Sequence, residues 1–227
     1  MFIFPAYLFN PTSVKASPIG RVITGGEAIN GDVDAIATDG GGRWQITYSG
    51  IELTNPAVMR QWDAWEAYLD GGAVDCLVPL LTLGRANRPF GGGQPAGVSG
   101  LVYDDLLFPT SLAYAAPYIE ATITEPAALR ATELTIAVTR GAPLEGGETF
   151  SVGGRAYRIQ RVKSRPIAMS AVVDIRPPLR AALLDNAALD FNLPMAKCRL
   201  MPNSDIGLDI FQNKTSNVSI TFVENTL

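Results

Sequence analysis

Val218-Ser219-Ile220-Thr221-Phe222-Val223, near the end of the chain, puts Val218, Ile220 and Phe222 on one face of an extended strand, with Ser219, Thr221 and Val223 on the other. A strand with one apolar face needs a sheet to join, because two strands alone are marginal and an open edge invites aggregation. Nothing in the preceding forty residues is as strongly strand-like, so the pattern predicts pairing with the amino-terminal part of the chain. That expectation decides the layout of the whole molecule.

Outward from there, Gly and Pro break the chain into short pieces, which favours strands over helices. Arg43-Trp44-Gln45-Ile46-Thr47-Tyr48-Ser49-Gly50-Ile51-Glu52-Leu53 is dense in β-formers and follows the turn signal Asp39-Gly40-Gly41-Gly42. Before it, Arg21 to Thr24 reads as a strand that ends at a Gly25-Gly26 break, and Val33 to Thr38 alternates. The opening stretch, Met1 to Pro11, is apolar, has no basic leader and is interrupted by Pro5 and Pro11; it reads as a strand and not as a signal peptide.

One segment is predicted to be helical, over 56–70. Asn55 can cap it, Pro56 suits its first turn, and Gly71 can close it in the left-handed conformation. Val58, Trp62, Trp65 and Leu69 then form one apolar stripe, which predicts packing on a sheet in preference to an exposed stacking platform.

Residues 85–120 read as a long loop or linker, rich in Gly and Pro. Residues 121–186 read as a β unit of their own, with alternation in Glu133 to Thr139, hairpin signals at Gly146-Gly147 and Gly153-Gly154, and strands in Thr149 to Val152, Ala156 to Val162 and Ala171 to Ile175. This block holds nine Lys/Arg against six Asp/Glu, a net of +3, which leaves −7 elsewhere in a chain of net charge −4. The fold class is therefore mainly β: a β-sandwich domain from residues 1–84 and 187–227 with one packed helix, plus an inserted small barrel or sandwich, OB- or galectin-like, over 121–186.

Chemistry is scarce. The sequence contains no His, which removes Ser/Cys–His catalysis, His-ligated zinc and imidazole acid–base work. Cys76 and Cys198 are too far apart in sequence for a CxxC pair and read as small buried hydrophobes. Asp104-Asp105 and the acids at Asp205 and Asp209 lack a calcium-loop pattern, and Gly91-Gly92-Gly93 is not followed by a phosphate-loop Lys. The acidic balance argues against a dedicated duplex-DNA binder. Arg155, Arg158, Arg161, Lys163 and Arg165 form a basic run that could track a single strand, but Tyr157 is the one aromatic inside it, and alternation places Arg155 and Arg161 on the face opposite Arg158. No apolar run approaches the roughly 20 residues that span a bilayer. No cofactor, no metal and no catalytic group is expected.

Three stretches carry a resemblance. The Asp39-Gly40-Gly41-Gly42-Arg43-Trp44 turn leads into the helix with Trp62 and Trp65 and on to Gly71-Gly72 and Val78-Pro79. A second runs from Pro143 through Phe150 to Ile159, followed by Ile175-Arg176-Pro177-Pro178-Leu179-Arg180. The third is Leu193 to Pro202 with the closing Ser219 to Asn225. Together they resemble the distal tail proteins of long-tailed bacteriophages and gene-transfer particles. That resemblance implies a β-sandwich built from the first and last segments, an inserted small β domain, and a homo-hexameric ring that joins the tail tube protein to the tail-tip hub protein. It also implies a place at the tail tip of the virion, assembly in the host cytoplasm, and contact with nucleic acid only in passage through a central pore. A different tail component, such as a tube, hub, adaptor or carbohydrate-binding baseplate module, is the alternative. Trp44, Trp62, Trp65, Arg155, Arg158, Arg161 and Phe222 are the candidate structural and interface residues.

Overall fold

The computed structural model describes residues 1–20, 22–27, 33–37, 42–81, 119–167, 169–208 and 216–226. It is mainly β, with one antiparallel sheet curved into a half-barrel and a second rolled into a nearly closed barrel. The strands of the first sheet are β1 (Ser13–Ile19), β4 (Arg43–Leu53), β5 (Cys76–Pro79), β12 (Met195–Leu200) and β13 (Ser216–Glu224), in the order β1-β4-β13-β12-β5. The barrel takes β6 (Glu120–Ile123), β7 (Glu133–Arg140), β8 (Thr149–Val152), β9 (Arg155–Ile167), β10 (Ser170–Arg176) and β11 (Ala188–Leu189), in the order β11-β6-β7-β10-β9-β8. Mutual amide bonds between Ser151 and Asp190 bring β8 back to the end of β11 and nearly close the ring. Between β1 and β4, β2 (Val22–Glu27) and β3 (Val33–Ala37) pair as a separate two-stranded ribbon.

β13 lies in the middle of the first sheet, between β4 and β12. Phe222 stands opposite Ile46, and Thr221 opposite Thr47, their hydroxyls 3.1 Å apart. Opposite Val218 and Ile220 the extra residue of a bulge lies on β4, between Tyr48 and Ile51, and keeps both of those residues on the buried face although they are three apart. Alternation ends at Phe222, since Val223 and Glu224 are both buried.

The helix α2 (Pro56–Leu69) packs on this sheet. The Asn55 side chain accepts the Ala57 amide at 2.8 Å, and Pro56 loses no bond at the first position. Left-handed backbone begins one residue earlier than expected, at Asp70 (φ 44°), and continues through Gly71 in a short 3₁₀ turn. Trp62 and Leu69 are buried, while Val58 and Trp65 pack half-buried against the same core. Phe4 meets Tyr48, Trp65 and Phe222 at ring separations of 5.5, 5.4 and 4.9 Å, and Phe9 meets Trp62 edge-on at 5.0 Å. Such pairs add to burial through their quadrupoles.

Several expectations need correction. The opening stretch is not a strand: Ile3 makes one parallel bridge to Leu77, then Pro5 starts the single helical turn α1 (Ala6–Phe9). Gly25 and Gly26 lie inside β2, which continues to Glu27, and the break expected there is a register shift in the pairing with β3 between Thr24 and Glu27. β9 runs five residues beyond the expected Val162, because β10 continues to pair with it as far as Ile167. The expected boundary at residue 187 is also displaced. β11 pairs with β6, and Leu189 and Phe191 lie in the barrel core with Ile119, so the chain leaves the barrel after residue 191. It enters and leaves through the adjacent strands β6 and β11, the arrangement that lets an inserted module be accommodated. Most of the expected 85–120 loop, with Asp104 and Asp105, and also Asp209, lies outside the described residues. Asp205 is exposed and accepts the Gly207 amide at 2.9 Å, closing a local turn.

Candidate functional site at the junction of sheet and barrel

The turn at Gly153-Gly154 and the first residues of β9 dock onto one end of the five-stranded sheet. Along β9, Tyr157 and Ile159 belong to the barrel core, whereas Ala156 belongs to the core of the sheet. One strand thus serves two hydrophobic cores, a direct result of its period of two. The Lys197 amide donates to Gly154 O at 2.7 Å and fixes the turn against β12.

Trp44 is the hub. It is fully buried; its indole N–H donates to Ala156 O at 2.7 Å, and the Arg158 guanidinium lies 5.1 Å from its ring centroid, within cation–π range. Arg158 also donates to Ala16 O at 3.1 Å, reaching the edge strand β1. Arg155 donates to Asn225 O, and Asn225 in turn holds both oxygens of Asp75 at 2.9 Å. Arg180 reaches Gly42 O at 2.6 Å, and its amide donates to the Tyr157 hydroxyl at 3.1 Å. Gly42 is a positive-φ glycine (φ 87°) whose absent Cβ would stand 2.2 Å from Ile19 O, so no side chain fits there.

At the centre of this network sits Glu224, with its side chain fully buried. Burial pushes its carboxyl above the ordinary range, against the pull of the Trp44 amide, Arg180 and Arg155. Arg180, Glu224 and Asn225 were not legible as site residues. The one available signal was a carboxylate ending an otherwise apolar strand.

The basic run does not form a single cationic face. Contrary to the alternation argument, Arg155 and Arg158 both serve the junction; Arg155 is the first residue of β9, where the strand's alternation has only begun. Arg161 points away, 68% exposed, on Asp174 at 2.6 Å. Lys163, two residues on and therefore on the same face, reaches the same carboxylate at 3.3 Å and also Glu133. Arg161 first, and then Lys163, hold the Asp174 carboxyl below its ordinary range. Trp62, Trp65 and Phe222 are placed in the core of the sheet unit, with the Trp62 indole N–H on Ile206 O at 2.8 Å.

Cys76 and Cys198 are direct cross-strand partners on β5 and β12, both free and fully buried. Burial pushes the Cys76 thiol up to about 12 and raises Cys198 as well. At pH 8 the thiolate fraction at Cys76 is then on the order of 10⁻⁴. We expect a maleimide to label neither thiol in the folded chain on the timescale on which both react in denaturant; rapid labelling of the folded chain would show that this end of the sheet opens readily.

No family model matches the chain, and no curated protein matches its sequence. Among the described residues no helix is long and apolar enough to cross a membrane, and no group of three or more Cys, Asp or Glu side chains is placed to hold a metal ion.

Proposed function

We infer that the chain is an architectural subunit: one member of a closed ring, hexameric by resemblance, at the distal end of a phage tail, where it joins the tail tube protein to the tail-tip hub protein. The observation that carries this reading is the nested layout. A strand from the end of the chain occupies the centre of a sheet begun by residues 13–53, and a small barrel is inserted between the two halves. That is the layout the resemblance implies, with the helix packed where it places one.

The junction supports the same reading. Trp44, Arg155, Arg158 and Arg180, with the Lys197 amide of β12, bind the barrel to β1, β4, β12 and the segments flanking β4 and β13, which suits a subunit that transmits force as one body. Taken over residues 119–191, which adds Glu120 and Asp190, the insert carries a net charge of +1 against −5 elsewhere, and this smaller difference still favours neighbours that meet through surfaces of opposite sign, an arrangement that chiefly sets register and orientation. Contacts of this head-to-tail kind must close into a ring or run on into filaments. Nucleic acid would touch such a ring only in passage through its pore, and the location would be the virion tail tip after assembly in the host cytoplasm.

Native mass spectrometry at micromolar concentration, with imaging of particles that carry a tagged chain, tests the reading. A discrete multiple of the 24.2 kDa chain and label at the tail tip are expected. Monomer alone in solution and no ring in the particle would overturn it, whereas label along the tube would favour a tube subunit.

A further inference from the structure

Glu224 ends β13 with one carboxylate oxygen well satisfied and the other not. Oε2 accepts the Trp44 amide at 3.0 Å. No described residue hydrogen-bonds Oε1, although Arg180 Nε lies 3.8 Å and Arg155 Nη1 4.0 Å from it. Both separations exceed hydrogen-bond reach, so neither guanidinium satisfies the second oxygen by contact. The two guanidiniums bond Gly42 O and Asn225 O, both on the sheet side of the junction. The other ionisable groups facing Glu224 are Tyr157 of β9 and Cys198 of β12, its cross-strand partner; burial raises both, so both are neutral at ordinary pH.

We propose that Glu224 is a proton-operated latch between sheet and barrel. With the junction closed, its carboxyl is sealed from water between β13 and the two barrel arginines with one oxygen lacking a hydrogen-bond partner, and it takes up a proton more readily than when the junction opens and water reaches it. Acidification therefore tightens the hold of the barrel on the sheet, and rising pH loosens it.

The sign follows from linkage. The carboxyl is raised in the closed form and ordinary in the open one, so the extra stability of the closed form is fully present below the ordinary glutamate value. It is lost as pH rises through the raised value. The effect is confined to the junction, because Glu224 bridges the two units, whereas Asp174 on the outer face of the barrel is ion-paired and shifted in the opposite sense. The proposal concerns a single chain and does not depend on the ring.

Exchange of the tryptophan indole protons, followed by ¹⁵N NMR on the full chain from pH 5 to 8 and corrected for intrinsic chemistry, tests it. The Trp44 indole bond crosses the junction, whereas that of Trp62 ends on Ile206 O within the sheet unit and serves as the control. Trp44 protection should fall with rising pH, by about tenfold for each pH unit by which the closed carboxyl is displaced. Trp62 protection should not follow it, and in Glu224→Gln the fall at Trp44 should vanish. Arg180→Gln, which removes a counter-charge, should carry the profile to higher pH. An identical profile in Glu224→Gln, or parallel changes at Trp44 and Trp62, would overturn the proposal. Should Glu224→Gln fail to fold, the ¹³C carboxyl resonance of Glu224 in the unmodified chain decides: a midpoint above the ordinary glutamate range supports the latch, and one at or below it removes it.

Discussion

A chain shortened to residues 1–191 is expected to keep its barrel and lose its sheet. The cut removes β12 and β13, and β13 is the strand through which β4 meets the rest of the sheet. It also removes Ala196, Cys198, Leu200, Val218, Ile220 and Phe222 from one buried cluster. At roughly 1.5–3 kcal/mol for each large apolar side chain buried, the loss rivals the whole stability of a domain, about 5–15 kcal/mol. Circular dichroism and chromatography should show one remaining cooperative transition and association through the exposed edge of β4. Residues 119–191 by themselves should give that same transition, because Ile119 and Phe191 complete the barrel core. A monomeric 1–191 chain that melts like the full one would show that β13 is dispensable.

The second large effect is expected at Trp44. Trp44→Ala removes a fully buried ring, at roughly 3–5 kcal/mol for a large-to-small core change, and with it a bond to Ala156 O worth about 1 kcal/mol. For a chain of this size that lowers the melting temperature by roughly 10 °C. Trp62→Ala should cost a similar amount, since that ring too is buried and bonded. The two differ in kind. Trp62 lies within the sheet unit, whereas Trp44 also ties it to the barrel, so Trp44→Ala should split the melt into two separate transitions. An unchanged melting temperature in either variant would mean that the ring is exposed.

Where the fold was legible, a local physical rule was enough. β4 could be read from its density of branched and aromatic residues, α2 from Asn55 and Pro56 at one end and its apolar stripe, and β13 from alternation; their bounds agree with the structure to within two residues. β1 could not be read, because Lys15 and Pro18 mark an edge strand with little apolar character. β5 is four residues with Cys76, Val78 and Pro79 buried, a pattern that does not separate strand from any other buried run. The junction was half legible. Trp44, Arg155 and Arg158 were named from their residue types, but what they bind is 112, 70 and 142 positions away, beyond the reach of any spacing rule. Arg180 could not be read at all, and Glu224 only as a carboxylate ending an apolar strand, since a single carboxylate or guanidinium acquires meaning from what surrounds it.

The position of β13 also dictates an order of events during synthesis. The barrel has all its strands once residue 191 has left the ribosome, and its pairings join strands consecutive in sequence except at β7–β10 and at the β11–β6 closure. The five-stranded sheet must wait for residue 224, although β1, β4 and α2 were made long before. Until then the inner edge of β4 and the faces of Trp44, Tyr48 and Trp62 stand open, the kind of intermediate that chaperones shield. The small barrel therefore folds first, on a nascent chain whose larger half is still unfinished, and the last strand to emerge closes the sheet around it.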